Sequence, residues 1–260
     1  MEIEAVECKL ITPMLMHGED TTVAELRPPA IKGAMRFWWR AIHGNLSLDE
    51  LKKQESLLFG GANENSAVKS SFRIKLLMGY LQTEQIDPLP HKNSRFRING
   101  YKENQNFKIE FIGRELDIVN DIFELTSILG GFGQRSRRGF GSIQVQDNIN
   151  IEYIRNLIQK INSNFDEESD NKYPYIESIK NIEIGKEYND INSLIKTISS
   201  ATHHHNKDGM FGSVKNGRYA SPIYISVIKD GTRYRPIITT LKATKPIDNG
   251  RLSEFKKAIL

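Results

Sequence analysis

Cysteine is almost absent from this sequence, in which Cys8 is the only one among 260 residues. A single cysteine excludes an internal disulfide framework and any zinc site built from several cysteines. Cys8 lies in a segment of alternating polarity, so we expect a buried strand thiol rather than a nucleophile.

Long hydrophobic runs are also missing. No apolar stretch approaches the roughly 20 residues that a helix needs to cross a bilayer. The N-terminus, Met1–Glu4, lacks the basic start and the apolar stretch of a signal peptide. We therefore expect a soluble cytoplasmic protein.

Neither sign of charge dominates, because 36 Lys and Arg residues stand against 32 Asp and Glu, a formal net charge of +4. So small an excess is weak evidence for a nucleic-acid partner, and the distribution of charge matters more than its sum. The length allows one large domain or two small ones.

The hydrophobic pattern predicts an α+β fold. Strands and helices of the first half follow the order βα(α)βββαβ, which is βαββαβ with an added helix and an extra short strand. This order suits a ferredoxin-like (RRM-like) sheet with helices on one face. We place one such domain at residues 1–148 and a second at 149–260, whose βαββα order lacks a final strand. The clearest helices are predicted over Pro28 to Gly44, Ser47 to Leu58, Asp117 to Leu129, Ile151 to Asn162 and Arg251 to Leu260.

The basic helix, Arg27–His43, carries the most informative pattern. Its apolar stripe consists of Ile31, Met35, Trp38 and Ile42, at helical spacing. A second face carries Lys32, Arg36, Arg40 and His43, with Trp39 at the border and no acidic residue in the segment. Unpaired like charges at this spacing destabilise a helix slightly, so they favour an anionic partner.

The N-terminus of the basic helix offers free N–H groups and a partial positive charge, which suit a phosphate. Gly33 in the first turn would let a backbone come close. The alternative is a core helix whose basic face is solvated, or is paired with acids from elsewhere. Trp39 is a candidate for stacking on a base, although packing in the core or an interface explains it as well.

The Gly/Arg loop, Gly130–Gly141, follows the helix predicted to end at Leu129. Five of its residues are glycines, three are arginines and none is acidic. Glycines expose backbone N–H groups and arginines supply forked donors, a combination that fits a phosphodiester backbone. Phe132 and Phe140 are available to stack. The residues expected to contact RNA here are Gly131, Gly133, Arg135, Arg137, Arg138, Gly139 and Gly141.

Two other interpretations of the Gly/Arg loop are weaker. Its spacing fits neither the phosphate-binding loop of nucleotide hydrolases nor the dinucleotide fingerprint, and it follows a helix where the fingerprint follows a strand. A tight helix-to-strand turn accounts for the glycines but leaves the arginines unexplained. We expect no cofactor.

Together these segments resemble the RAMP superfamily, specifically the family of subunit one of the Cmr (type III-B) CRISPR effector. Three stretches carry the resemblance and a fourth adds to it: Arg27–Ala41, Leu58–Gly60, Gly130–Gly141 and Arg218–Pro222. The helix signature is the specific part, since glycine-rich loops occur throughout RAMP proteins. Direct coverage by these motifs is about a quarter of the chain.

The resemblance implies two tandem ferredoxin-like domains within a multisubunit ribonucleoprotein that carries a CRISPR guide RNA. The implied partners are guide RNA, target RNA and other RAMP subunits, near the 3′ end of the guide. Target cleavage in such complexes belongs to a different subunit, so we expect no catalytic activity. Arg218 joins the expected RNA contacts through the fourth stretch. The chain is short for this family and is predicted to end in a helix.

A catalytic alternative remains, because RNA cleavage without metal needs a base and an acid near the 2′-hydroxyl. His17 lies in the loop after the first strand, where some guide-processing RAMP proteins place a histidine. Glu19 and Asp20 lack further acidic partners for a metal, and His203–His205 fit an exposed helix end. The hypotheses are a non-catalytic RNA-binding subunit, a metal-independent endoribonuclease, and a scaffold that docks other subunits.

Overall fold

The structure is a computed structural model that describes residues 1–63, 66–77, 79–92, 96–167, 171, 173–206, 209–213, 219–242 and 247–260. Its helices are α1 Pro28–Ala41, α2 Leu48–Phe59, α3 Leu116–Leu129, α4 Ile151–Ile161, α5 Ile191–His205 and α6 Asn249–Lys257. Its strands are β1 Glu2–Leu10, β2 Gly61–Asn63, β3 Ser66–Val68, β4 Phe72–Leu77, β5 Thr83–Ile86, β6 Ile98–Tyr101, β7 Gln105–Gly113, β8 Ile143–Gln144, β9 Ile182–Ile184, β10 Ile223–Asp230 and β11 Arg233–Thr240.

The larger sheet belongs to the first half and is antiparallel, with the strand order β4-β7-β1-β8. Alternate residues of its strands point to one face, which α1 and α3 cover. Cys8 is buried there at 1% exposure, as its alternating surroundings predict. Burial raises the pKa of its thiol well above the ordinary value, so the residue is an inert core thiol.

The smaller sheet belongs to the second half and has the antiparallel order β10-β11-β9. Helix α5 packs on this sheet, and α6 packs on α5. The predicted α+β class with antiparallel sheets is confirmed. In the described part of the chain this sheet has three strands.

A short connection after the Gly/Arg loop joins the two sheets. The Ser142 hydroxyl accepts a hydrogen bond from the Val227 amide at 3.0 Å. The Gln144 side chain bonds both the amide and the carbonyl of Lys229, at 2.7 and 3.0 Å. The backbone of β8 therefore pairs with the first sheet, while the side chain of Gln144 bonds the edge strand β10 of the second sheet.

The hydrophobic core crosses the middle of the chain. Trp38 of α1 shares a cluster of buried residues with Tyr224 and Ile237 of the second sheet. The expected domain boundary between residues 148 and 149 separates the two sheets, but it does not separate this cluster. The division into two domains at this boundary stays a prediction.

Several local predictions agree with the structure. Helix α1 begins at the two prolines and ends at Ala41, three residues before the expected Gly44. Ser47 caps α2 by accepting a hydrogen bond from the Glu50 amide at 3.3 Å. The hairpins β2–β3 and β5–β6 contain short strands; β2, β3 and β5 were not predicted, because their alternation is too brief. Within the described residues, no helix has the length and apolarity to cross a membrane.

Replacement by alanine is expected to have opposite effects on stability at Gly141 and at Gly33. Gly141 has φ +69°, and a Cβ there would overlap the Phe132 carbonyl oxygen. Gly33 lies in α1 with nothing within 4 Å of its Cβ position. We expect Gly141→Ala to lower the free energy of unfolding by about 2–4 kcal/mol, and Gly33→Ala to raise it by roughly 0.5–1 kcal/mol. Urea denaturation measures both; equal effects would contradict the strained turn.

Candidate nucleic-acid interface

The Gly/Arg loop folds back over the segment that follows β1. The backbone amides of Gln134 and Gly141 donate hydrogen bonds to the carbonyls of Leu15 and Pro13, at 2.6 and 2.8 Å. On its other side, the amide of Gly139 donates to the Ile225 carbonyl of β10 at 2.8 Å. The loop is thus fixed between the two halves of the chain.

The glycines of the loop lie against other atoms of the protein, which are backbone atoms at Gly131, Gly133 and Gly141 and side chains at Gly139. We expected four of them to permit close approach of RNA: Gly131, Gly133, Gly139 and Gly141. Gly131, Gly139 and Gly141 are buried, and a Cβ on Gly133 would lie 2.5 Å from the Leu15 carbonyl oxygen. The close approach that these glycines permit in this structure is intramolecular, and their expected contact with RNA stays a prediction. Of the four, Gly133 is also exposed.

The aromatic residues proposed to stack on bases are buried. Trp39, Phe132 and Phe140 are only 5%, 1% and 2% exposed. The Trp39 ring stacks on the ring of His43, with the two centroids 4.1 Å apart. Core packing therefore accounts for all three aromatics, and none has a free face for a base. His43 is buried with them rather than lying on an exposed basic face.

Arg138 joins the loop to the second half. Its guanidinium donates to the carbonyls of Phe211 and Ile223, at 2.7 and 3.3 Å, and to that of Arg137 at 2.7 Å. Burial, followed by the charges of its arginine neighbours, lowers its pKa to about 10. These donors bond the protein itself, and the expected contact of Arg138 with RNA stays a prediction.

Arg135 and Arg137 precede Arg138 in the loop and make different contacts. The Arg137 guanidinium lies over the Tyr224 ring, 4.6 Å from the centroid. Burial lowers the pKa of Arg135. Both side chains are partly exposed, and within the described residues neither has a carboxylate within 4.0 Å of its guanidinium. These two arginines are available to an anion.

Lys32, at the start of the predicted basic face of α1, is used internally. Its ammonium donates to the carbonyl of Phe72 at 3.0 Å and to the hydroxyl of Ser70, and it lies 4.3 Å from the Phe72 ring centroid. Burial, and next the charge of Arg36, lowers its pKa. Lys32 thus fastens α1 to β4 in this structure, and its expected contact with a phosphate stays a prediction.

Arg36 and Arg40 share one carboxylate. Glu55 of α2 lies 3.5 Å from Arg36 and 2.9 Å from Arg40, and its side chain is only 13% exposed. Arg36 also donates to the carbonyls of Phe59 and Gly60. The two arginine side chains remain 34% and 37% exposed, so one positive charge is in excess on this face.

The helix and the loop meet at Tyr224 of β10. Trp38 packs edge-on against its ring at 4.9 Å, and Arg137 lies over that ring. Burial raises the pKa of Tyr224, and the charges of Arg137, Arg138 and Arg40 oppose that rise. The predicted meeting of the two arginine-rich segments is therefore seen in the structure, at the C-terminal end of α1 rather than its N-terminal end.

His17 lies beside the Gly/Arg loop. Its Nε2 donates to the Asn99 carbonyl at 2.6 Å, and its Nδ1 is 3.5 Å from the side-chain nitrogen of Gln134. Asp20 bonds the amide and hydroxyl of Thr22, which lowers the pKa of its carboxyl. Among the described residues, no three His, Cys, Asp or Glu side chains are grouped so as to hold a metal ion.

The histidine triplet lies in the last turn of α5. His203 and His204 are exposed, and His205 is 4.0 Å from the Glu254 carboxylate of α6. Arg218 lies outside the described residues, so its expected RNA contact stays a prediction.

The site depends on two residues that the sequence did not single out, Glu55 and Tyr224. Glu55 is one of several acidic residues on an ordinary amphipathic helix, and Tyr224 belongs to a mostly apolar strand. No local motif distinguishes either. Only the packing of α1 against α2 and β10 reveals them.

We expect substitutions of the adjacent residues Arg137 and Arg138 to lower the free energy of unfolding by different amounts. Arg138→Met leaves buried carbonyls without their donor, so we expect a loss of about 2–4 kcal/mol in the free energy of unfolding. Arg137→Met removes a partly exposed cation–π contact and should cost about 1 kcal/mol or less. Chemical denaturation of both variants measures the difference, and equal losses would contradict the assignment of Arg138 to the junction.

The family model of the RAMP superfamily matches residues 7–144. The chain is 26% identical to the CRISPR system Cmr subunit Cmr1-2 of Pyrococcus furiosus, over 54% of this chain and 93% of that protein. It is 30% identical to subunit Cmr1-1 of the same organism, over 56% of this chain and about half, 48%, of that protein.

Two solved structures share the fold. The crystal structure of apo Cmr1 from Pyrococcus furiosus gives a TM-score of 0.66 at 18% identity, covering 100% of this chain and 96% of the other. A chain in the cryo-EM structure of the type III-B Cmr-beta complex bound to cognate target RNA gives 0.65 at 12% identity, covering 99% of both chains.

Proposed function

The chain belongs to the RAMP superfamily, and we propose that it is a non-catalytic RNA-binding subunit of a type III-B CRISPR ribonucleoprotein. Its partners in this proposal are a guide RNA, a target RNA and other RAMP subunits. Two observations support the proposal. The chain is similar in sequence to the Cmr1-1 and Cmr1-2 subunits, and it is similar in structure to a chain of a Cmr complex bound to target RNA.

The observation that carries the proposal is the excess of arginine around Tyr224. The guanidinium groups of Arg36 and Arg40 share the single carboxylate of Glu55, and that of Arg137 lies over the Tyr224 ring without a carboxylate among the described residues. A phosphate placed there would neutralise the excess and receive forked, charge-assisted hydrogen bonds. A polyanion is the partner that such a surface favours.

The open face of the first sheet does not offer an alternative site of the RRM kind. Its outward residues on β1, β4 and β7 include no aromatic side chain on which a base could stack. Its charges compensate one another, since Lys75 pairs with Glu110 at 3.1 Å and Lys108 pairs with Glu7. RNA therefore binds, in this proposal, along the side formed by α1 and the Gly/Arg loop.

Recognition at this surface would be insensitive to base sequence. Phosphate contacts position a strand without reading its bases, and the nearby aromatic rings are buried. Sequence selection in a guide-carrying complex comes from base pairing between guide and target, as in other RNA-guided systems. A backbone-binding subunit fits that division of labour.

We also propose that both halves are ferredoxin-like. The larger sheet pairs the first βαββαβ strand with the third and the fourth, and the third with the second. The smaller sheet pairs its first strand with its third and its third with its second, which is the same order without a fourth strand. The second half is in this proposal an incomplete copy of the first.

A pair of double variants tests the RNA interface. We expect Arg40→Gln with Arg137→Gln to weaken binding of single-stranded RNA by the full chain, and to reduce the log–log salt slope by about 1.4, or about 0.7 per lost phosphate contact. Fluorescence anisotropy over a series of salt concentrations measures both quantities.

The matched control is Lys75→Gln with Lys108→Gln, which removes the same charge from the open sheet face. We expect the salt slope of this control to stay at the wild-type value. Equal reductions in the two double variants would show that only net charge matters. No RNA affinity in the wild-type chain, with binding to other RAMP subunits, would favour a scaffold instead.

The position of His17 keeps an endoribonuclease as a second candidate. With Nε2 donating to Asn99, a neutral ring keeps a lone pair on Nδ1 that faces the Gly/Arg loop. Our proposal expects no products from single-turnover incubation of guide-like RNA with the wild-type chain in chelator, and unchanged RNA affinity in His17→Ala. Cleavage by the wild type that is lost in His17→Ala would establish the enzyme.

A further inference from the structure

A second group of basic side chains lies near Arg135 of the Gly/Arg loop. His91, which follows β5, stacks on His203 of α5 with the ring centroids 4.6 Å apart and the planes at 27°. The Nδ1 atom of His91 is 2.6 Å from the Ser199 hydroxyl. Two histidines from distant parts of the chain are thus held together where the two halves meet.

Two side-chain nitrogen atoms in this group have no hydrogen-bond partner among the described residues. The Nε2 of His91 and the Nε of Arg135 are buried, and neither makes a hydrogen bond within the described part of the chain. Buried polar atoms are almost always hydrogen-bonded in native proteins. Two such atoms in one group therefore indicate a missing acceptor.

The charges that face His91 are mostly positive. They come from Lys92 next to it in the chain, from Arg135 on the Gly/Arg loop and from His203 on α5, when that ring is protonated. The opposing carboxylate is Asp87, which already pairs with Arg97 at 3.3 Å. Burial lowers the pKa of His91 most, and then the charges of His203, Lys92 and Arg135 lower it further.

We infer that His91, His203 and Arg135 form a second phosphate-binding site. A phosphate oxygen would accept from the unpartnered Nε2 of His91 and from the Arg135 guanidinium, while the exposed His203 ring lies beside them. Such bonds between ionised groups are about twice as strong as neutral ones. The inference deepens the proposed function, because the phosphate would belong to an RNA strand that crosses the loop from Arg137 to Arg135.

Binding at this site depends on pH with a definite sign. In the free protein, burial and positive neighbours depress the pKa of His91, so its ring is neutral near pH 7. A bound phosphate favours the protonated ring and raises that pKa. Affinity therefore increases as the pH falls through the pKa of the bound form, and levels off below the pKa of the free form.

The test uses the full chain and two probes. An oligouridylate without terminal phosphates carries only diesters, whose charge is constant near neutral pH, and inorganic phosphate stands for a free anion. For the oligouridylate we expect up to about tenfold tighter binding near pH 5.5 than near pH 8, which corresponds to a rise of about one unit in the pKa of His91. Imidazole resonances in a ¹³C–¹H NMR titration report that pKa directly.

The variant His91→Gln with His203→Gln should lose the added affinity at low pH and keep the wild-type affinity near pH 8. The control is His204→Gln, an exposed histidine adjacent in the chain, which should keep the pH dependence. Native circular dichroism and an unchanged melting temperature show that the variants fold. If the oligouridylate leaves the pKa of His91 unchanged and the double variant keeps the pH dependence, the inference is wrong.

The probes and variants separate the sources of phosphate and the two sites. A rise in the pKa of His91 with oligouridylate supports an RNA phosphate, whereas a rise with inorganic phosphate alone overturns the RNA assignment. Loss of RNA binding in Arg40→Gln with Arg137→Gln, beside a His91 pKa that never responds, would leave the proposed function standing and reject only this site.

Discussion

The positions of the arginines at the candidate interface depend on the hydrogen bonds that Arg138 makes to carbonyls of the second half. They fix a 3₁₀ turn, Ser136–Arg138, against β10. A 3₁₀ turn rotates by about 120° per residue, so fixing one arginine inward directs its neighbour outward. Arg137 accordingly lies over Tyr224, while Arg135, with φ +57° before the turn, lies near His91. The sequence does not distinguish Arg135, Arg137 and Arg138, but this short turn places each of them in a different environment.

The basic residues of α1 also differ from one another in their partners. Lys32 in the first turn bonds β4, Arg36 divides its donors between backbone carbonyls and Glu55, and Arg40 in the last turn shares Glu55 and faces Tyr224. The sequence suggested a phosphate at the helix N-terminus, where the helix dipole favours anions. The structure places the excess positive charge at the other end, where a cation also complements the partial negative charge of the helix. Arg40 thus complements the helix dipole, and in the proposed function it would bind the anion as well.

Local patterns predicted what local physics decides. The apolar stripe through Ile31, Met35 and Trp38 is buried, and Ser47 caps its helix as its spacing to Glu50 indicates. The partners of the basic residues could not be predicted in this way, since Lys32 bonds Ser70 across 38 positions of the chain. The aromatic residues of the loop were misread for the same reason: glycine and arginine neighbours suggest exposure, yet Phe132 and Phe140 are buried. Burial is a tertiary property, and composition within a loop does not report it.

The position of the Gly/Arg loop between the halves has a consequence for binding energetics. Arg137 contacts Tyr224, and Arg135 lies by a histidine pair that itself joins the two halves. An RNA strand held at both places would bridge groups from both halves, so it would bind the docked arrangement more tightly than a separated one. A ligand that prefers one arrangement stabilises it in proportion to the logarithm of its concentration over its dissociation constant. RNA binding and the docking of the two halves would then be coupled, because the same loop supplies the cations for one and the hydrogen bonds for the other.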